Sequence, residues 1–168
     1  METVIIREER SNDLNNVYNV NNNAFQQEDE AKLVNALRGS DAFIPQLSLV
    51  ATLKDTIVGY ILFTKVTIGT NTSLALAPLS VHSDYQRKGI GEKLIKAGLK
   101  RAEELGFQSV IVLGHEHYYS RFSFLPASSW NIESPFNAPD GAFRAIELVP
   151  DALKDVSGLV MYDKAFLE

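Results

Sequence analysis

Gly89 and Gly91 stand two apart behind the polar and basic run Gln86-Arg87-Lys88, where an apolar stretch gives way to a helical pattern. The first peptide N–H groups of a helix lack intrahelical acceptors and lie at the positive end of its dipole, so bare backbone there suits a phosphate or diphosphate. The same glycines suit a tight turn feeding the helix, because glycine reaches backbone angles that other residues avoid. On spacing alone the two readings stand level. A dinucleotide fingerprint is excluded, since only two of its glycines are present and the preceding strand does not open the chain. A P-loop is excluded too, for want of the Gly-Lys-Ser/Thr ending.

A second cluster lies in "HEHYYSRFSFLP", residues 115–126. A tyrosine hydroxyl can hand a proton to a leaving group, and Tyr118 and Tyr119 are the candidates. From residue type alone, packing on the core explains such aromatics better. Acceptors for a proton are His82, His115, Glu116 and His117, with Glu28 further upstream, and no spacing singles one out. The His-Glu-His triple lacks the i, i+4 helix spacing of a zinc protease, so no metal site is expected.

Elements that would position these groups follow from the hydrophobic pattern. Residues 3–7 alternate as a first strand, after which Ser11 or Asn12 can cap a helix carrying Leu14, Val17, Tyr18 and Phe25, weakened by its asparagines. A second helix is expected over 28–38, ended by Gly39. Runs 47–53, 56–68 and 73–81 read as an antiparallel meander, with Pro78 marking an edge, a bulge or a splay. Helical spacing over 89–105 puts Ile95, Gly98, Ala102 and Leu105 on one stripe, and Gly106 closes it. The wholly apolar run 109–113 then completes a βαβ unit with a parallel pair. Segments 143–149 and 159–162 are the last strands.

Bulk properties narrow the classes. The chain has 168 residues, 45% hydrophobic and 22% charged, the balance of one ordinary globular domain. Sixteen basic residues against 21 acidic give a formal charge of −5, which argues against a broad grip on nucleic acid. There is no cysteine, hence no disulfide, thiolate-held metal or catalytic thiol. With no signal-peptide pattern and no apolar run long enough to span a bilayer, a cytoplasmic protein without a membrane partner is expected.

The run Gln86-Arg87-Lys88-Gly89-Ile90-Gly91 resembles the Q/R-x-x-G-x-G/A signature of the GNAT superfamily of N-acetyltransferases. The likeness continues through 76–127, extends to "LSLVA" at 47–51 and "FRAIELVP" at 143–150, and is strongest to the YhbS-like bacterial branch. It implies an α/β (α+β) fold of the GNAT type: a single mixed, mostly antiparallel, splayed sheet flanked by helices, with one central βαβ parallel pair, all in one domain over 1–168. It further implies acetyl-coenzyme A as cosubstrate. Main-chain groups of Leu79 and Val81 would pair with the pantetheine arm, and the amides of Arg87, Lys88, Gly89, Ile90 and Gly91, behind Gln86, would take the pyrophosphate. Tyr119, five residues before Phe124, occupies the place of the family's usual proton donor.

Two departures from the family pattern stand out. Ser123 replaces the usual glycine, and the asparagine that many relatives place upstream of the tyrosine is missing from the shorter "GHEHYY" connection. The activity implied is direct acetyl transfer to a primary amine, on a small molecule or on a protein or peptide. The alternative is a non-catalytic acetyl-coenzyme A-binding regulatory domain. Relatives often form homodimers through the sheet or C-terminal strands, although this sequence does not reveal its own oligomeric state.

Overall fold

The computed structural model describes residues 3–167. They form β1 (Val4–Glu8), α1 (Leu14–Phe25), α2 (Asp29–Arg38), β2 (Ser48–Leu53), β3 (Thr56–Ile68), β4 (Asn71–Val81) and α3 (Ile90–Glu104). There follow β5 (Ser109–Leu113), α4 (Glu116–Tyr119), β6 (Leu125–Pro126), β7 (Ile132–Glu133), β8 (Phe143–Glu147) and β9 (Gly158–Met161). Strands pair in the order β1-β2-β3-β4-β5-β8-β6, with β9 pairing both β3 and β7. This is an open mixed sheet of nine strands flanked by helices, the mixed fold that the resemblance implies. The short β6 and β7 carry too few residues to show a period, and the pattern does not predict them.

By contact density the chain divides into two compact units, one running to Thr64 and including Ala77–Arg101, the other made of Lys65–Leu76 and the chain from Ala102. In the first, β1 and β2 pair antiparallel, as do β2 and β3. Lys54 and Asp55 join β2 to β3, both with positive φ (51° and 65°), the backbone sense that a two-residue hairpin turn demands. The helix cap differs from expectation. Ser11 and Asn12 lie within a 3₁₀ turn, and it is the buried Asp13 that accepts the Arg10 N–H at 2.7 Å while pairing with Arg7. Helix α1 forms despite its asparagines because Val17, Val20 and Asn21 are buried. Arg38 fastens α2 to the strands through the Glu9 carboxylate, which also accepts from Ser48 Oγ.

Helix α3 lies against β3, where Gly98 packs directly on the Phe63 ring. Its buried stripe is Ile90, Leu94, Ile95, Gly98 and Ala102. Leu105, expected on that stripe, is 40% exposed, because α3 ends at Glu104 and Gly106, at φ +93°, turns the chain away.

In the second unit β4 and β5 run parallel, registered at Leu74↔Val110 and Ala75↔Ile111. Strand β5 also pairs antiparallel with β8 along its whole length, and β6 pairs β8 on the other side. A parallel β7–β9 pair adds to the predicted one. Ile68, Ala75, Ile111, Ile132, Phe143 and Leu153 belong to this unit's core cluster, with Trp130 and Tyr162 packed against it. Among the described residues no helix is long and apolar enough to cross a membrane.

Candidate active site

The glycine loop starts where β4 ends. His82 N–H donates to Val58 O at 2.8 Å, and strand alternation then turns the main-chain groups of Val81 and Leu79 away from β3. The last registered β4–β5 pair is at Ala75, so β4 continues well beyond it to Val81. Within this stretch the Val81 carbonyl accepts from Gln86 Nε2 at 3.1 Å, and the buried Ser80 Oγ has no hydrogen-bond partner in the protein.

Beyond His82 the chain is clamped by side chains. Asn23, in the last turn of α1, accepts the Ser83 N–H at 2.7 Å and donates to Ser83 Oγ at 3.2 Å. His82 Nδ1 accepts the Asp84 N–H at 3.1 Å, and Tyr85 N–H closes a 3₁₀ turn on His82 O. The loop proper then opens outward: Gln86, Arg87, Lys88 and Gly89 are all exposed.

Arg87 and Gly89 both adopt left-handed backbone, with φ of +63° and +79°. Such reversals turn successive N–H groups toward one concave side, the arrangement known as an anion nest. The first α3 bond from this turn is Lys93 N–H to Gly89 O at 3.1 Å, leaving the amides of Ile90 and Gly91 ahead of it. A Cβ placed on Gly89 meets nothing within 4 Å, so the side of Gly89 from which it would project is open. Ile90, 3% exposed, anchors the helix start, and Gly59 makes room for it: a Cβ there would lie 3.0 Å from Leu94 and 3.1 Å from Ser80 O. Of the two glycines, only Gly89 uses the freedom of positive φ.

The tyrosine element is built differently. Gly114 follows β5 and donates its N–H to Ala142 O at 3.0 Å. The Tyr119 ring lies over it so closely that a Cβ on Gly114 would come within 2.5 Å of Cε2. Edge contacts to Tyr118 and Phe124, with centroids 5.2 and 5.8 Å away, hold the ring from other sides. Burial, and secondarily Tyr118, push the Tyr119 hydroxyl above the ordinary tyrosine range. Ser123 sits at φ +72°, which accounts for a glycine in its place elsewhere.

Residues 14–124 match the acetyltransferase (GNAT) family. The uncharacterized N-acetyltransferase YhbS of Escherichia coli strain K12 is 36% identical over 146 residues, covering 85% of this chain and 86% of YhbS. The chain belongs to the GNAT family. The crystal structure of Escherichia coli YhbS in complex with CoA superposes with a TM-score of 0.94 at 31% identity, over 100% of this chain and 94% of that one. A GNAT family acetyltransferase from Brucella melitensis in complex with acetyl-CoA gives 0.80 at 32% identity, over 99% of both chains.

Within this GNAT chain the five base candidates separate by environment. His82 spends Nδ1 on the Asp84 amide. Glu28 is an exposed partner of Lys32 at 3.2 Å, and His115 and His117 are exposed at the start and within α4. Glu116 accepts from Arg144 Nη2 at 3.4 Å, and its carboxylate lies against Gly141. No cluster of three or more His, Cys, Asp or Glu suited to a metal ion occurs among the described residues.

Sequence reasoning overlooked four residues that shape these GNAT elements: Asn23, Gly59, Gly114 and Arg144. Each acts on a segment remote in the chain or through the absence of a side chain. An asparagine ending a helix and a glycine ending a buried strand were the available signals, and both are weak alone.

Proposed function

We propose that this chain is a single GNAT domain that transfers acetyl from acetyl-coenzyme A directly to a primary amine. The observation that carries the reading is the left-handed turn at Arg87 and Gly89 ahead of the first amides of α3, in an exposed loop. Relatives crystallised with CoA and acetyl-CoA support coenzyme A as the ligand whose diphosphate such a turn would take. Leu79 and Val81 suit the pantetheine amides because their main-chain groups point to the edge of β4 away from β3. The Val81 carbonyl is already engaged by Gln86 Nε2, so its N–H is the group that would remain for the ligand.

In the reaction the amine lone pair attacks the thioester carbonyl and forms the C–N bond. The tetrahedral oxyanion collapses, the C–S bond breaks and the thiolate takes the Tyr119 proton; the amine's surplus proton leaves to water, and Tyr119 regains a proton from water, which restores the enzyme. Because burial holds the Tyr119 hydroxyl above its usual range, it remains protonated throughout neutral pH. The chain's acidic balance favours approach of a cationic amine, by attraction rather than recognition.

The test is thiol release from acetyl-coenzyme A with spermidine, a lysine-containing peptide and a peptide with a free N-terminus. At least one should be acetylated, and Tyr119→Phe should lower kcat by roughly 100-fold or more while CoA affinity stays nearly intact. Tight CoA binding without turnover on any amine would instead mark a regulatory domain.

A further inference from the structure

Arg144 has no place in the chemistry above, yet it is among the most enclosed charges of the second unit, with its side chain 8% exposed. It lies on β8 between two strands, its Cα opposite Val112 of β5 on one side and Pro126 of β6 on the other. Those strands are the two ends of the connection 114–124 that carries Tyr119. The guanidinium spreads its donors over three segments. Nη1 donates to Phe124 O at 2.7 Å, Nε to Gly141 O at 2.9 Å and Nη2 to the Glu116 carboxylate at 3.4 Å.

We propose that Arg144 is a positioning residue for Tyr119: one buried fork that fixes the start of α4, the end of the tyrosine element and the 140–142 turn together. Phe124, whose carbonyl it holds, is itself one of the rings against which Tyr119 packs. Gly114, under the Tyr119 ring, is tied to Ala142, in the turn whose Gly141 carbonyl Arg144 holds. Glu116 is then an anchor for this fork rather than the base that removes the amine proton. Lysine cannot replace the fork, since a single ammonium on a flexible stem does not span three planar contacts. The inference rests on Tyr119 as proton donor, and its test separates the two.

The test is a double-mutant cycle on the full chain, with acetyl-coenzyme A and the best amine from the panel above. Arg144→Lys should lower kcat roughly 10- to 100-fold, the scale of a displaced catalytic group, with KM for acetyl-coenzyme A changed less than about threefold. In a Tyr119→Phe background the same substitution should cost almost nothing more. Amide hydrogen exchange should quicken over 115–124 and stay unchanged over 83–91. Glu116→Gln, which keeps an acceptor for Arg144, should retain most activity with an unaltered pH profile, whereas Glu116→Ala should lose several-fold. Should Arg144→Lys fail to fold, the Glu116 pair carries the test. Equal losses from Arg144→Lys in both backgrounds, or a Glu116→Gln variant as inactive as Glu116→Ala with a shifted pH profile, would overturn the positioning role while leaving Tyr119 as donor. A Tyr119→Phe variant of full activity would remove the donor itself and the inference with it.

Discussion

The glycine loop and the tyrosine element solve opposite problems. On the proposed function the loop works through its peptide amides; side chains of Asn23, His82 and Gln86 hold it and it stays exposed. The tyrosine element would work through a side chain, and there backbone, rings and a buried arginine do the holding and burial is the means. A backbone site needs conformational freedom at particular residues. A side-chain site needs room and enclosure at particular atoms. Substitutions in the two regions should therefore separate in kinetics, with loop changes read in cofactor affinity and tyrosine-element changes read in kcat.

The sharpest break of that contrast is Gly114→Ala. The new Cβ would overlap the Tyr119 ring at 2.5 Å, and the ring, hemmed by Tyr118 and Phe124, must swing away. Displacing a catalytic group by an ångström costs about 100-fold in rate. We expect kcat to fall by that order in steady-state assays, while calorimetric CoA affinity remains within about twofold. A matching loss of affinity would mean that the two regions are not functionally separate.

Next in size is Gly89→Ala. There is space for the methyl group, so the cost is conformational: φ +79° disfavours an L-residue by about 1–2 kcal/mol. If the amides bind diphosphate only in this left-handed arrangement, CoA affinity should weaken about 5- to 30-fold, with kcat at saturation unchanged. Arg87 already endures the same conformation without being glycine, which marks the turn as one the fold enforces rather than one the local sequence prefers.

This difference also governs what the sequence reveals. Backbone chemistry is written locally, so Gln86 to Gly91 announce the loop, and the apolar periods announce the strands and helix on either side of it. Side-chain chemistry is written in contacts between distant positions. The family resemblance singled out Tyr119 through its spacing to Phe124, but nothing near it in the chain points to Gly114 beneath the ring or to Arg144 behind it. Leu105 misled for a related reason: it keeps the helical period one residue past Glu104, where the helix has ended and Gly106 turns the chain. Asp13 was hidden because its carboxylate pairs with Arg7 on β1 and accepts the Arg10 N–H, contacts no helix-cap pattern carries.

Asn23→Ala probes the loop's holding rather than its working groups. Both Asn23–Ser83 bonds would be lost, each worth about 1 kcal/mol at most in so open a setting, while alanine is the better helix former by about half that. The lost bonds outweigh the helix gain, so stability should fall by at most about 1.5 kcal/mol in calorimetry, and CoA affinity should drop about three- to tenfold through a less ordered loop. A loss of stability with CoA affinity unchanged would demote the clamp to an ordinary structural contact.

The smallest effect is expected at Ser123, and there two opposing terms must be weighed. At φ +72° serine bears a left-handed penalty of about 1–2 kcal/mol, which glycine would not. Glycine, however, brings an unfolded-state entropy cost of about 0.5–1 kcal/mol. The first outweighs the second, so Ser123→Gly should stabilise by about 0.5–1 kcal/mol, a Tm rise of about 1–4 °C for a chain this size. Since the backbone path around Tyr119 is unchanged by the substitution, kcat should be too. A fall in kcat alongside the gain in Tm would show that the serine's restriction, and not only Arg144 and the ring contacts, keeps Tyr119 in place, making the enclosure of the tyrosine element partly a matter of backbone after all.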